Sequence, residues 1–283
     1  MFGFRSDGKK AKNIPPFFRV IPNIMMTRND SQVYFKEDIV LNGMDAYISK
    51  KMEEGIKISY MNIIFAAIVR IIAERPQLNR FAMNGCLYNR NELTVSLAIK
   101  KSLSDDGQET VLKMPFTGNE NLLEIKEKMD SIIRLNKENT SENKTDRLAN
   151  LLNLVPDFLL RFVIRFLVFA DKHGFLIKPI IKASPFHTSV FLTNVGSLGI
   201  DSIYHHLYNF GTTSMFFAMG KKKKSYVYDD DEIREEKCIT LSFVGDERIC
   251  DGYYFASSFK LLCKYLKNPE LLEEKKSKEK ENV

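Results

Sequence analysis

Asp246-Glu247-Arg248-Ile249-Cys250-Asp251-Gly252 lies between an apolar run of β type, Ile239-Thr240-Leu241-Ser242-Phe243-Val244, and a helix-patterned stretch over 253–266. The motif is therefore read as a strand-to-helix turn, with Gly252 at the bend. If the turn alternates as a strand does, Cys250 faces away from Glu247 and Asp251 and is a buried small thiol.

Working outward, residues 32–40 read as a strand and 43–53 as a helix. Residues 60–74 place Ile63, Ile64, Ala67, Ile68, Ile71 and Ile72 on one helical face and stop before Pro76. A strand is expected over 93–99, an amphipathic helix over 122–135 and a polar connector over 136–144. Residues 156–172 form a helix pattern that is apolar around almost its whole circumference, with Asp157, Arg161, Arg165 and Lys172 on one narrow stripe. Two arginines in so short a run argue against a membrane span. Burial against a neighbouring domain or second subunit is expected, with a helix lying on a membrane as the alternative. A β-rich run, 189–192, ends in Thr193-Asn194-Val195-Gly196-Ser197-Leu198-Gly199. A strand over 214–219 leads through Gly220 into Lys221-Lys222-Lys223-Lys224, and Asp229-Asp230-Asp231 turns the chain back toward Ile239. This reads as a solvent-facing β-hairpin.

The chain has 283 residues, 44% hydrophobic, enough for one large core. Residues 1–14 are expected to be a flexible segment, 15–272 the folded domain and 273–283 a charged tail that frays. The net charge of +6 is spread among acids, which gives no nucleic-acid footprint. Cys86, Cys238, Cys250 and Cys263 have neither zinc-site nor disulfide-framework spacing, so no metal is expected and a reducing, cytoplasmic setting fits. No secretion signal is read at the N-terminus.

The turn resembles the Asp-His-Arg-x-x-Asp-Gly motif of dihydrolipoamide acyltransferases of the 2-oxo acid dehydrogenase complexes, and the His-x-x-x-Asp-Gly of chloramphenicol acetyltransferases. Two further segments carry the same likeness: Arg75-Pro76-Gln77-Leu78-Asn79 after the apolar helix, and Phe191-Leu192-Thr193-Asn194-Val195-Gly196. The resemblance implies an α/β fold of the chloramphenicol acetyltransferase type, with a mixed β-sheet flanked by helices. It also implies a homotrimer with active sites in channels between subunits, and coenzyme A or acyl-CoA as a substrate beside a small acyl acceptor. Thr193 takes the position of the hydroxyl that hydrogen-bonds the oxyanion, worth a few kcal/mol in a dry channel; a strand hydroxyl bonded to the backbone is the other reading. Asp251 takes the position of a structural aspartate paired with an N-terminal arginine, for which Arg19 is the best match. Gly252 and Asn194 fall on motif positions of the turn and the strand end. No lipoyl domain is seen in this chain, so a lipoylated partner would act in trans.

Glu247 stands where the family carries its catalytic histidine. An ordinary glutamate titrates near ~4.3 and a thiol near ~8.5, which makes proton transfer uphill by roughly 5–6 kcal/mol. His205 and His206 are the candidate replacement bases; hydrogen-bonded imidazoles in an aromatic loop are the alternative. His173 and His187 are read as helix-end or loop packing. The Lys221–Lys224 run is either a solvated limb or a CoA-phosphate contact. Two functions follow: acyl transfer from acyl-CoA with an altered base, or a catalytically inactive trimeric binding or scaffold protein of the same fold. Peripheral membrane contact can accompany either.

Overall fold

The computed structural model describes residues 5–100, 109–138, 144–229 and 232–276. In chain order these form β1 (Gly8–Lys10), α1 (Pro16–Ile24), β2 (Gln32–Val40), α2 (Asn42–Glu53), α3 (Tyr60–Glu74), β3 (Arg80–Met83), β4 (Cys86–Arg90), β5 (Leu93–Lys100) and β6 (Glu109–Phe116). There follow α4 (Leu122–Glu138), α5 (Lys144–Asn153), α6 (Asp157–Lys172), α7 (Lys178–Ala183), β7 (Val190–Asn194), β8 (Met215–Asp229), β9 (Glu232–Asp246) and α8 (Gly252–Lys267).

The main sheet is mixed, in the order β2-β9-β8-β7-β5-β6, with β7 parallel to both its neighbours and every other pairing antiparallel. A small sheet, β1-β4-β3, stands beside it. One face of the main sheet packs on α3, α4 and α8 through Leu192, Phe217, Leu241 and Phe243. α3 is the central helix of that layer. Ser59 and Asn62 close a capping box at its start, and the run from Asn62 to Ile72 is buried without a break. The opposite face carries a smaller apolar group, Phe191, Leu207, Phe216 and Val244.

The motif turn follows β9 and opens α8, as its pattern predicts. The hairpin is longer than read from sequence: β8 and β9 each run 15 residues, with a register shift between Met219 and Lys222. Its basic limb is largely committed within the chain. Lys223 bridges Asp38 (3.3 Å) and Asp201 (2.8 Å), Lys224 pairs with Glu235 (2.6 Å), and Lys222 lies over the Tyr60 ring. A phosphate site on this run would compete with all of these. Asp230 and Asp231 lie outside the described residues.

The described residues at both ends pack against the body of the fold. Residues 5–14 of the segment expected to be flexible are fixed to the body: β1 pairs with the edge of β4, Ala11 is buried, and Arg5 reaches Asp171 Oδ1 at 2.7 Å. An open strand edge and a buried carboxylate supply the partners that composition cannot reveal. At the other end the charged tail begins docked. Glu273 accepts from Tyr47 Oη (2.8 Å) and pairs with Lys51 (2.8 Å), and Lys276 Nζ donates to the Ala73 carbonyl (2.7 Å).

α6 forms where its periodicity predicts but is not buried within one chain. Phe158, Phe162, Phe166 and Phe169 are each more than half exposed, and only Ala170 and Asp171 at its C-terminal end are buried. Among the described residues no helix is long and apolar enough to cross a membrane.

Candidate active site

The motif turn is anchored by a buried ion cluster. Asp246 is fully shielded and accepts from Arg248 Nε (2.8 Å), Arg248 Nη2 (2.6 Å), Arg248 N (3.1 Å) and Ser31 Oγ (3.0 Å). Arg28 Nε lies 3.9 Å from the same carboxylate. Arg248 Nη1 donates to the Met25 carbonyl, while Arg28 reaches the carbonyls of Asn209 and Ala82. One carboxylate thus clamps the turn to the segment before β2 and to the 208–210 loop. Burying such charges is tolerable because the carboxylate accepts from four donors, while Arg28 Nε itself is left without a hydrogen bond.

The expected pairing of Arg19 with Asp251 is not formed within the chain. Arg19 is exposed on α1; Asp251 is exposed too and caps α8 by accepting from Tyr254 N at 2.7 Å. The arginine that serves the turn is Arg248, from inside the motif, with Arg28 as the N-terminal contributor. Arg28 was missed because its partners are about 180 residues away in sequence. Gly252 begins α8 as read. Tyr254 also ties α8 to the 75–79 segment: Gln77 N donates to its hydroxyl (3.2 Å) and the Arg75 guanidinium lies 4.0 Å above its ring.

Glu247 is half-buried, and its backbone N–H donates to the Ser31 carbonyl, extending the β2–β9 ladder by one step. Alternation from Phe243 and Gly245 puts it on the helix side of the sheet. There it borders a groove of about 740 Å³ between β2 and α8, walled by Phe35 and Phe259, with Lys260, Lys264 and Lys267 along it. Cys250 is buried and burial pushes its thiol up, so it is not a ready nucleophile.

Thr193 ends β7 on the other face, two residues from Phe191. Its hydroxyl makes no hydrogen bond among the described residues, so it does not satisfy the strand backbone. Asn194 Oδ1 accepts from Ser197 N (3.1 Å) and sets the turn that follows. Gly196 is required there, since a Cβ would sit 2.3 Å from the Gly220 carbonyl. Thr193 pairs in register with Ala218, and Ala218 with Ser242. Glu247 is five residues beyond Ser242, about 17 Å along the strands. Thr193 and Glu247 of one chain are therefore apart, on opposite faces.

The 200–208 segment crosses the Thr193 face. Ser202 Oγ is 2.5 Å from Ser242 Oγ, Tyr204 packs edge-on to Tyr34, and the His205 ring stacks 4.1 Å above Phe216. His205 Nδ1 lies 2.8 Å from the His206 carbonyl. A carbonyl only accepts, so Nδ1 carries the proton and Nε2 keeps a free lone pair. Burial lowers the imidazole from its ordinary value. His206 is exposed and stacks on His205. Of the other two histidines, His173 Nδ1 donates to the Phe169 carbonyl at the end of α6, and His187 is buried beside Ser184 and Asp171. Among the described residues no cluster of His, Cys, Asp and Glu is arranged to hold a metal.

Residues 184–273 match the family model of the 2-oxoacid dehydrogenases acyltransferase (catalytic domain). Over the whole chain, similarity is found in structure. A probable dihydrolipoamide acetyltransferase from Listeria monocytogenes 4b F2365 aligns with TM-score 0.58 and 16% identity, covering 97% of each chain. The cubic core of the pyruvate dehydrogenase multienzyme complex aligns with TM-score 0.59 and 12% identity, over 93% of this chain and 94% of that one. A chloramphenicol acetyltransferase aligns with TM-score 0.50 and 10% identity, over 92% and 99%. No curated protein sequence matches the chain. The chain thus resembles the acyltransferase catalytic domain of the 2-oxoacid dehydrogenases, in sequence over 184–273 and in fold throughout, with the mixed α/β architecture shared by chloramphenicol acetyltransferase.

Proposed function

We propose that the protein transfers an acyl group from acyl-CoA to a small acceptor, with Thr193 at the oxyanion and His205, in place of Glu247, taking the acceptor's proton. The observation that carries this reading is the state of His205: neutral, with Nδ1 tied to a carbonyl and Nε2 free, on the same sheet face as Thr193. A neutral imidazole offers a better-matched base than a carboxylate for a thiol or hydroxyl. The free Thr193 hydroxyl can then donate to the negative oxygen of the tetrahedral intermediate.

The β2–α8 groove suits the acyl carrier, because its apolar walls fit a pantetheine arm and its three lysines fit phosphates. Glu247 at the end of this groove is then a hydrogen-bond acceptor for the carrier. Groove and Thr193 face lie on opposite sides of one chain, so a working site needs two copies, one presenting each. The exposed apolar α6 supports assembly, and a homotrimer is the arrangement we favour. A lipoylated protein supplied in trans is one candidate acceptor.

The second reading is an inactive binding or scaffold protein, favoured by the carboxylate at the histidine position of the motif. Titration calorimetry with CoA and acetyl-CoA, followed by thiol release with a panel of acceptors, separates the two. Binding with turnover supports acyl transfer; binding without turnover supports the second reading. Absence of binding removes both CoA readings and leaves a scaffold.

A further inference from the structure

A second cavity, of about 560 Å³, opens at the far side of the sheet from the β2–α8 groove, between the N-terminal arm, the β4–β5 turn, β6 and α7. Arg90, Lys113, Lys178 and Lys182 line it, against the carboxylates of Asp7 and Glu92. Asp7 is already committed, held by Arg5 Nε at 2.9 Å and Arg5 Nη2 at 3.0 Å. Positive charge is therefore in excess. Lys178 and Lys182, one turn apart on α7, have no ion-pair partner among the described residues.

Two of these cations are held from within the chain. Arg90 gives both Nη groups to Thr212, at 2.7 and 2.6 Å, but its Nε is shielded from solvent and makes no hydrogen bond. Lys113 Nζ donates to the carbonyls of Ile181 (2.8 Å) and Ser184 (3.2 Å). Burial, with the charge of Arg90 adding to it, pushes that amine down to about 7. An anion in the cavity would offset the crowded cations together. The space exceeds an inorganic ion and has an apolar wall, Ile181 and Pro115, for an organic group.

We propose that this cavity is a binding site for a small organic phosphate, separate from the acyl-CoA groove. Phosphate is favoured over a single carboxylate because it carries more charge and more acceptor oxygens, and can face Arg90 and the two α7 lysines at once.

The test uses the full chain, with phenyl phosphate and inorganic phosphate as probes in calorimetry and thermal unfolding, and sodium chloride at matched ionic strength as control. Phenyl phosphate is expected to bind and stabilise beyond the chloride control, and more tightly than inorganic phosphate. The double variant Lys178→Ala with Lys182→Ala removes two exposed side chains, so the fold should persist by circular dichroism while affinity falls about tenfold or more. Affinity unchanged in that variant, stabilisation no greater than chloride gives, or binding of inorganic phosphate alone would overturn the proposal. CoA titrated into protein saturated with phenyl phosphate should bind as it does without the probe. Displacement of the probe would assign the cavity to the carrier's own phosphates and end the claim of a separate site. If CoA does not bind at all, the probe titrations still decide this proposal independently of the acyltransferase reading.

Discussion

Asp246 and Arg248, two residues apart and both out of contact with water, are joined by two parallel hydrogen bonds, Nε to Oδ1 at 2.8 Å and Nη2 to Oδ2 at 2.6 Å. Replacing Asp246 with Asn would keep the shape but leave Arg248 and Arg28 as buried cations without a counter-charge. The expected loss is about 3–5 kcal/mol, measured as a lower urea midpoint with an unchanged slope. Arg248→Lys should lose nearly as much, because an ammonium cannot make the planar two-point contact. A loss below about 1 kcal/mol in both would mean the pair behaves as an exposed one.

For catalysis, His205→Gln is expected to lower kcat by about 10²- to 10⁴-fold, the usual range for a lost general base. Glu247→Gln should leave kcat within a fewfold and act mainly on KM for the carrier. The pH profile supplies a second readout. The base works only when neutral, and burial lowers its pKa below the ordinary 6.5. The rate should rise along one limb below that pH and be flat from neutrality to mild alkali. A profile that keeps this limb in the His205→Gln variant would remove the assignment.

Acid stability should depend on the arm that carries Arg5. Burial opposes the ionisation of Asp171, but His187 and Arg5 outweigh it and hold the carboxyl down to about 2, against 3.8 when free. Between these values the unfolded chain binds the proton and the native one does not. The contribution is therefore complete above pH ~4 and is lost as pH falls through that window. In Arg5→Met the Asp171 pKa rises and acid unfolding should begin at higher pH, followed by far-UV circular dichroism. An identical acid transition in both proteins would contradict this.

Assembly is tested on α6. Phe162→Asp together with Phe166→Asp places charge at two side chains that are about two-thirds exposed in one chain, so the single-chain fold should survive. Light scattering behind size exclusion should report three times the chain mass for the native protein and the mass of one chain for the variant. Retention of the native mass in the variant would exclude α6 from the interface.

Much of the site was legible in sequence because it is local. The strand, turn and helix around Asp246 are written in adjacent residues, and the apolar faces of α3 and α6 likewise use neighbours three and four apart. What could not be read depends on register and distance. Thr193 and Glu247 fall on opposite faces because β9 meets β8 in one parity and not the other, and a one-residue slip of β9 would bring Glu247 to the face of Thr193. Arg28, Arg90 and the Arg5 arm take their meaning from partners far along the chain, and the basic run at Lys222–Lys224 looks free only until Asp38, Asp201 and Glu235 are placed beside it.

The pairing of β2 with β9 bears on how the protein is made. Ser31 meets Asp246 across 215 positions, and among the described residues β2 has no strand neighbour in the sheet besides β9. On the ribosome, β2 emerges long before its ladder partner β9 exists, while α3, buried over most of its length, waits for α8 to cover it. The first third of the chain is thus exported from the tunnel as an apolar helix beside an open strand, and the fold closes only when its last segment arrives. Folding dominated by such late, long-range closure is slow and passes through sticky species, so yield in the cell should depend on chaperone supply and on synthesis rate.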